Sequence, residues 1–140
     1  MITQTPYSYT IAEHERILRI TVRRGGSLRL IYDLVIEFTS DVRFKPGFAV
    51  IADTREGNYT PVAADLVCLA KMLGDMKDSF SGKIALIVPE WQKKFSIDLL
   101  CASARAKGFN AFSFTDPDAA EEWVKSRSNG IQPNTPDDTQ

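Results

Sequence analysis

The chain has 140 residues, 44% hydrophobic and 25% charged, enough for one domain with a modest core and too few for two. Seventeen Lys and Arg balance 18 Asp and Glu to a net charge of −1, so no global field gathers nucleic acid or an anionic membrane. One histidine and two cysteines exclude a His/Cys-rich zinc site and a disulfide framework; with no signal-peptide pattern at the start and no apolar run near 20 residues, the expectation is a soluble cytoplasmic protein without a membrane span.

Taken in chain order, Tyr7, Tyr9 and Ile11 alternate with Ser8, Thr10 and Ala12, and after Glu13-His14-Glu15 the residues Leu18, Ile20 and Val22 share one face against Arg19, Thr21 and Arg23. This predicts an antiparallel hairpin near a sheet edge, with one wetter side. Gly25-Gly26 breaks the strand, and Ser27 caps a helix whose stripe is Leu28, Ile31, Leu34, Val35 and Phe38, running to about Thr39. After Lys45-Pro46-Gly47, the segment from Phe48 to Asp53 is apolar on both faces, as a buried central strand is. Thr60-Pro61 is an N-cap followed by proline at the first helical position, opening a helix with the stripe Val62, Leu66, Leu69, Leu73 and Met76.

Lys83 to Val88 is the next strand, ended by Pro89, and Trp91, Phe95, Leu99, Ala102 and Ala106 predict a third helix closed by Lys107 and Gly108. Ala111 to Phe114 is the last strand. Asp116-Pro117 then opens a helix carrying Ala120, Trp123 and Val124 to about Arg127. The order is β-β-α-β-α-β-α-β-α. It predicts a single α/β domain over 1–127, with a five-stranded mostly parallel sheet, an N-terminal antiparallel hairpin and four helices. Residues 128–140 hold one aliphatic side chain, Ile131, and are expected to form a disordered tail.

In open parallel sheets ligands gather at the carboxyl ends of the strands. There the richest segment is the loop Asp53-Thr54-Arg55-Glu56-Gly57-Asn58-Tyr59-Thr60, with Trp91 following the next strand. Asp53, Thr54, Arg55, Asn58, Tyr59 and Trp91 are candidate loop or ligand-binding residues, with Asp53 as loop cap and Thr60 as simple helix cap the structural alternative. The loop has neither phosphate-binding glycine motif. His14 sits in the hairpin turn, Cys68 and Cys101 sit among apolar helix residues, and Asp98, flanked by Ile97, Leu99 and Leu100, is expected on a solvent face between Lys94 and Arg105, with a buried acid the alternative. No catalytic constellation, cofactor or metal is expected. An enzyme would have to use Asp53 as acid, Arg55 as anion clamp and Glu56 as base.

The element order and the loop from Asp53 to Thr60 make residues 7–127 resemble the STAS-like domains, the group of bacterial anti-sigma factor antagonists, and in particular its small stand-alone members. In that family the strand ending in Asp is followed by a Ser or Thr phosphorylated at the next helix start. The resemblance implies Thr60 as a switch, although Asn58-Tyr59-Thr60-Pro61 stands where the antagonists carry Asp-Ser-Ser/Thr-Gly. It also implies a non-enzymatic regulatory module with a protein partner. The alternative is a binder of a lipid-like or other apolar small molecule, motivated by 8 Phe and 2 Trp in so small a domain. An edge hairpin and an apolar helix stripe also suit a homodimer.

Overall fold

A computed structural model describes residues 6–23, 27–57, 62–80, 82–92 and 97–126. The alternating apolar residues of the first segment form β1 (Tyr7–Ala12) and β2 (Ile17–Val22), paired antiparallel with Tyr7 opposite Val22. Their turn closes with the Arg16 N–H donating to the Ala12 carbonyl, and Arg16 takes the left-handed conformation (φ 62°) that lets a four-residue turn rejoin the ladder. Ser27 caps α1 (Leu28–Thr39): its Oγ accepts from the Leu30 N–H at 3.2 Å, and Leu34, Val35 and Phe38 turn inward. Then follow β3 (Ala49–Asp53), α2 (Ala63–Asp75), a 3-10 turn (Lys77–Phe80), β4 (Lys83–Ile87), a single turn α3 (Glu90–Gln92), α4 (Asp98–Ala106), β5 (Asn110–Phe114) and α5 (Pro117–Lys125). As its Asp-Pro signal predicts, α5 is capped by Asp116, which accepts from the Asp118 N–H.

Two helix readings are corrected. The Thr60-Pro61 signal lies outside the described residues, and α2 starts at Ala63 behind an extended Val62, whose N–H donates to Asp65 in the first turn. Of the third helix, α3 and α4 are described, and residues 93–96 between them lie outside the described residues. Of the expected stripe, Trp91, Leu99, Ala102 and Ala106 are exposed and Phe95 lies outside the described residues, while Ile97, Cys101 and Ala104 are buried. Both phases are apolar in the sequence, and packing against β5 sets which of them α4 buries.

The sheet order is β1-β2-β3-β4-β5, with β2 to β5 parallel. Every crossover steps the same way across the sheet, so right-handedness puts α1, α2 and α4 on one face. α5 has no further strand to reach and covers the other. Such a sheet never reverses its strand order, so the crevice that a reversal opens at the carboxyl edge of other α/β sheets does not arise.

The α5 face is sealed. Trp123 is fully buried between Phe112 (5.3 Å between centroids) and Phe114 (5.6 Å), over Ile51, Ala85 and Ile87. Lys83 of β4 donates through Nζ to the Trp123 and Ser126 carbonyls at 2.8 and 2.7 Å, answering groups that a helix end leaves open. Arg19 of β2 grips Glu121 of α5 in a two-bond fork at 2.8 and 2.9 Å. Among the described residues no helix is long and apolar enough to cross a membrane. Residues 128–140, read as a tail, lie outside the described residues.

Candidate functional site

The three-helix face packs differently along its length. Near the amino ends of the strands, Phe38, Phe44, Phe48 and Phe80 interlock, with Phe38 edge-on to Phe44 (5.2 Å) and to Phe80 (5.8 Å). On the same face Ala52, Ile84 and Leu86 remain half-buried, although they belong to the interior strands β3 and β4. Their neighbours on the α5 face, Ile51, Ala85 and Ile87, are 4%, 0% and 2% exposed. A central parallel strand is normally buried on both faces, so the difference locates unfilled space under α1, α2 and α4.

That space is a cavity of about 210 Å³. The sheet supplies Ile20, Val50, Ala52 and Leu86, and the helices close it with Leu34, Leu69, Met72 and Ala104. Phe38 and Phe80 reach it from the aromatic cluster, and Thr54 and Gly57 border it where β3 runs into its loop. No described lining residue is charged. The buried Cys101 also faces it.

Strand alternation splits the candidate loop. Ala52 and Thr54 turn to the cavity, and Asp53 turns away to meet Arg55, whose Nε and Nη2 donate to the carboxylate at 3.0 and 2.7 Å while its backbone N–H adds a third bond at 3.1 Å. Burial pushes the Asp53 carboxyl up, but the bonds from Arg55 outweigh it and hold the group below its ordinary value. Asp53 is therefore a carboxylate clamped by Arg55, the opposite of what a general acid requires. The Thr54 N–H and Oγ1 both donate to the Ile87 carbonyl, at 2.8 and 2.9 Å, and its own carbonyl accepts from the Gly57 N–H at 3.1 Å.

Asn58, Tyr59 and Thr60 lie outside the described residues. Trp91 is 67% exposed and does not line the cavity. Asp98, expected on a solvent face, is half-buried and accepts from the buried Ser113 hydroxyl at 2.8 Å, fastening α4 to β5. His14 is exposed in the hairpin turn, at the end of the sheet away from the loop. A second hollow, of about 440 Å³, lies at that end between Arg16, Lys83 and Lys125, with Gly47 and Gly82 in its wall. Lys83 is committed there to the end of α5, and Lys125 is shared between Glu15 and Glu121. Among the described residues no group of His, Cys, Asp or Glu could hold a metal ion.

The cavity residues escape a reading of the sequence because each looks like ordinary core. The signal that bears on them is the pairing of long side chains in the α2 stripe with alanines at 52, 104 and 111. Comparison with protein-family models, curated proteins and solved structures finds no match to this chain.

Proposed function

We propose that the protein binds a small apolar molecule in the cavity between the sheet and helices α1, α2 and α4. The observation that carries this reading is the cavity itself, about 210 Å³ with a described lining of hydrocarbon and sulfur apart from the Thr54–Gly57 end. Apolar surface left facing this space forgoes about 25 cal/mol per Å² of the stabilisation that its burial would bring. A bound apolar molecule covers that surface and recovers part of the stabilisation. In the test, benzene is added to the purified chain and the methyl resonances of Ile20, Leu34, Leu69 and Leu86 are followed alongside the melting temperature. The expected result is shifts confined to these methyls and stabilisation of about 2.7 kcal/mol at a hundredfold excess over Kd. Unmoved methyls and an unchanged melting temperature overturn the reading.

A second reading, a non-enzymatic, STAS-like regulatory module of the cytoplasm that docks a protein partner, draws support from the β-β-α-β-α-β-α-β-α order and from exposed apolar residues at helix starts, Trp91 (67%) and Val62 (62%). With Thr60 as its switch, a phosphate there adds about −2 charge to the docking surface. The partners captured from the native host then differ between Thr60→Ala and Thr60→Glu. Identical partner sets across both and wild type remove the switch.

A further inference from the structure

We infer that the protein pairs with a second copy of itself through β1, the two β1 strands running antiparallel about a two-fold axis at Thr10 and joining two sheets into one of ten strands. The strand order leaves two edges, β1 and β5. An edge strand offers its outward N–H and C=O groups as a template for another strand, and native proteins blunt such edges with charges, bulges or a covering group. The β5 edge is covered. Its Phe114 carbonyl accepts from the Val88 N–H, just past β4, so alternation turns the Ala111 carbonyl away from β4, where it accepts from Arg105 Nη1 at 2.7 Å. The Arg105 guanidinium also lies 4.3 Å over the Phe112 ring, which keeps it on that strand.

Among the described residues β1 has no such cover. The Arg23 N–H donates to the Pro6 carbonyl at 2.7 Å, which sets the alternation: Ser8, Thr10 and Ala12 turn their backbone groups to β2, and Tyr9 and Ile11 turn theirs off the sheet. No described residue bonds to the Tyr9 and Ile11 groups on that side. The strand, Tyr7-Ser8-Tyr9-Thr10-Ile11-Ala12, pairs residue for residue with β2, without a bulge and without a charged side chain. The occupant follows from that composition. A strand that meets its own copy sets charges beside like charges, and β1 carries none. Centred on Thr10, the register sets Tyr9 opposite the partner's Ile11 and Ile11 opposite the partner's Tyr9, so that all the outward groups of both residues are used in four hydrogen bonds. The two Thr10 side chains then stand roughly 5 Å apart at their β-carbons. Thr10 is the exposed residue of β1 and shares a face with its ladder partner Arg19, which reaches α5. Both ends of the joined sheet are β5 edges guarded by Arg105, so association closes at two copies.

The experiment combines sedimentation of the full chain across a concentration series with amide hydrogen exchange. The wild type is expected to reach the mass of two chains, the Tyr9 and Ile11 amide protons slowing as it does so, while those of Ser8 and Thr10, held by β2, are slow throughout. Thr10→Lys and Thr10→Glu each set like charges across the axis and weaken the dimer roughly fivefold or more. Mixed in equal amounts, the two variants recover a dimer with one copy of each, which also reports that both fold. Thr10→Val keeps a β-branched pair at the axis and the wild-type dimer. A wild type that stays monomeric, a dimer indifferent to both charges, or fast exchange at Tyr9 and Ile11 in the dimer overturns the inference. Weakening by both charges that mixing does not relieve overturns the two-fold at Thr10.

Discussion

Neighbouring residues in this chain have opposite fates, and the pleat decides which. Asp53 and Thr54 are both polar, yet one turns out to an arginine and the other turns in to border a cavity. The same alternation sends Ile20 to the three-helix face and Arg19 to Glu121 on α5. The bond from Arg19 is the main influence that holds the Glu121 carboxyl below its ordinary value near 4.5, against the opposing effect of burial. A carboxyl depressed in the folded state adds stability above its unfolded value and loses it as pH falls through the folded one. Glu121→Gln is thus expected to lower stability by about 1 kcal/mol at pH 7, since the pair is partly open to solvent. Urea denaturation at a series of pH values checks this: the gap between variant and wild type should close below pH 4.5 as Glu121 takes up its proton.

Elements whose ends carry caps were legible in the sequence, and elements defined by tertiary packing were less so. Ser27 before α1 and Asp116-Pro117 before α5 act through local hydrogen bonds, and both helices begin where those residues predict. The strands follow from alternation and continuous apolar runs to within a residue. Thr60-Pro61 has the same local signature, but α2 starts at Ala63. In α4 two apolar stripes compete, and packing against β5 selects Ile97, Cys101 and Ala104 over Leu99 and Ala106. Asp98 then lands beside Ser113, a contact between residues 15 apart that no helical period encodes. Gly82 illustrates a further limit. A β-carbon there would come within 2.5 Å of the Phe48 carbonyl oxygen, a close approach invisible until β3 and β4 are placed together.

At the scale of the whole molecule, the candidate site arises from unequal packing of two faces. One helix with a tryptophan seals three strands, whereas three helices on the opposite face leave about 210 Å³ unfilled. Composition could give the amount of apolar surface but not its distribution, because Ala52, Ile84 and Leu86 differ from Ile51, Ala85 and Ile87 only in which helices stand over them. Ala52→Val separates a cavity from a filled core. Two added carbons entering empty space are expected to raise stability by about 1 kcal/mol, whereas the same change in a close-packed core costs about 1–3 kcal/mol. Chemical denaturation measures the sign, and a loss of stability would show that no usable space lies over Ala52.

The one-way order of the strands also has a consequence for how the chain closes on itself. Each crossover joins strands that are successive in sequence, so the walls of the cavity come from consecutive segments of the chain. The Arg19–Glu121 grip spans 102 residues, and the entropy of loop closure grows with the length of chain enclosed. The far-face helix therefore ties the two ends of the fold together, while the face that holds the cavity is assembled from elements that are neighbours in sequence.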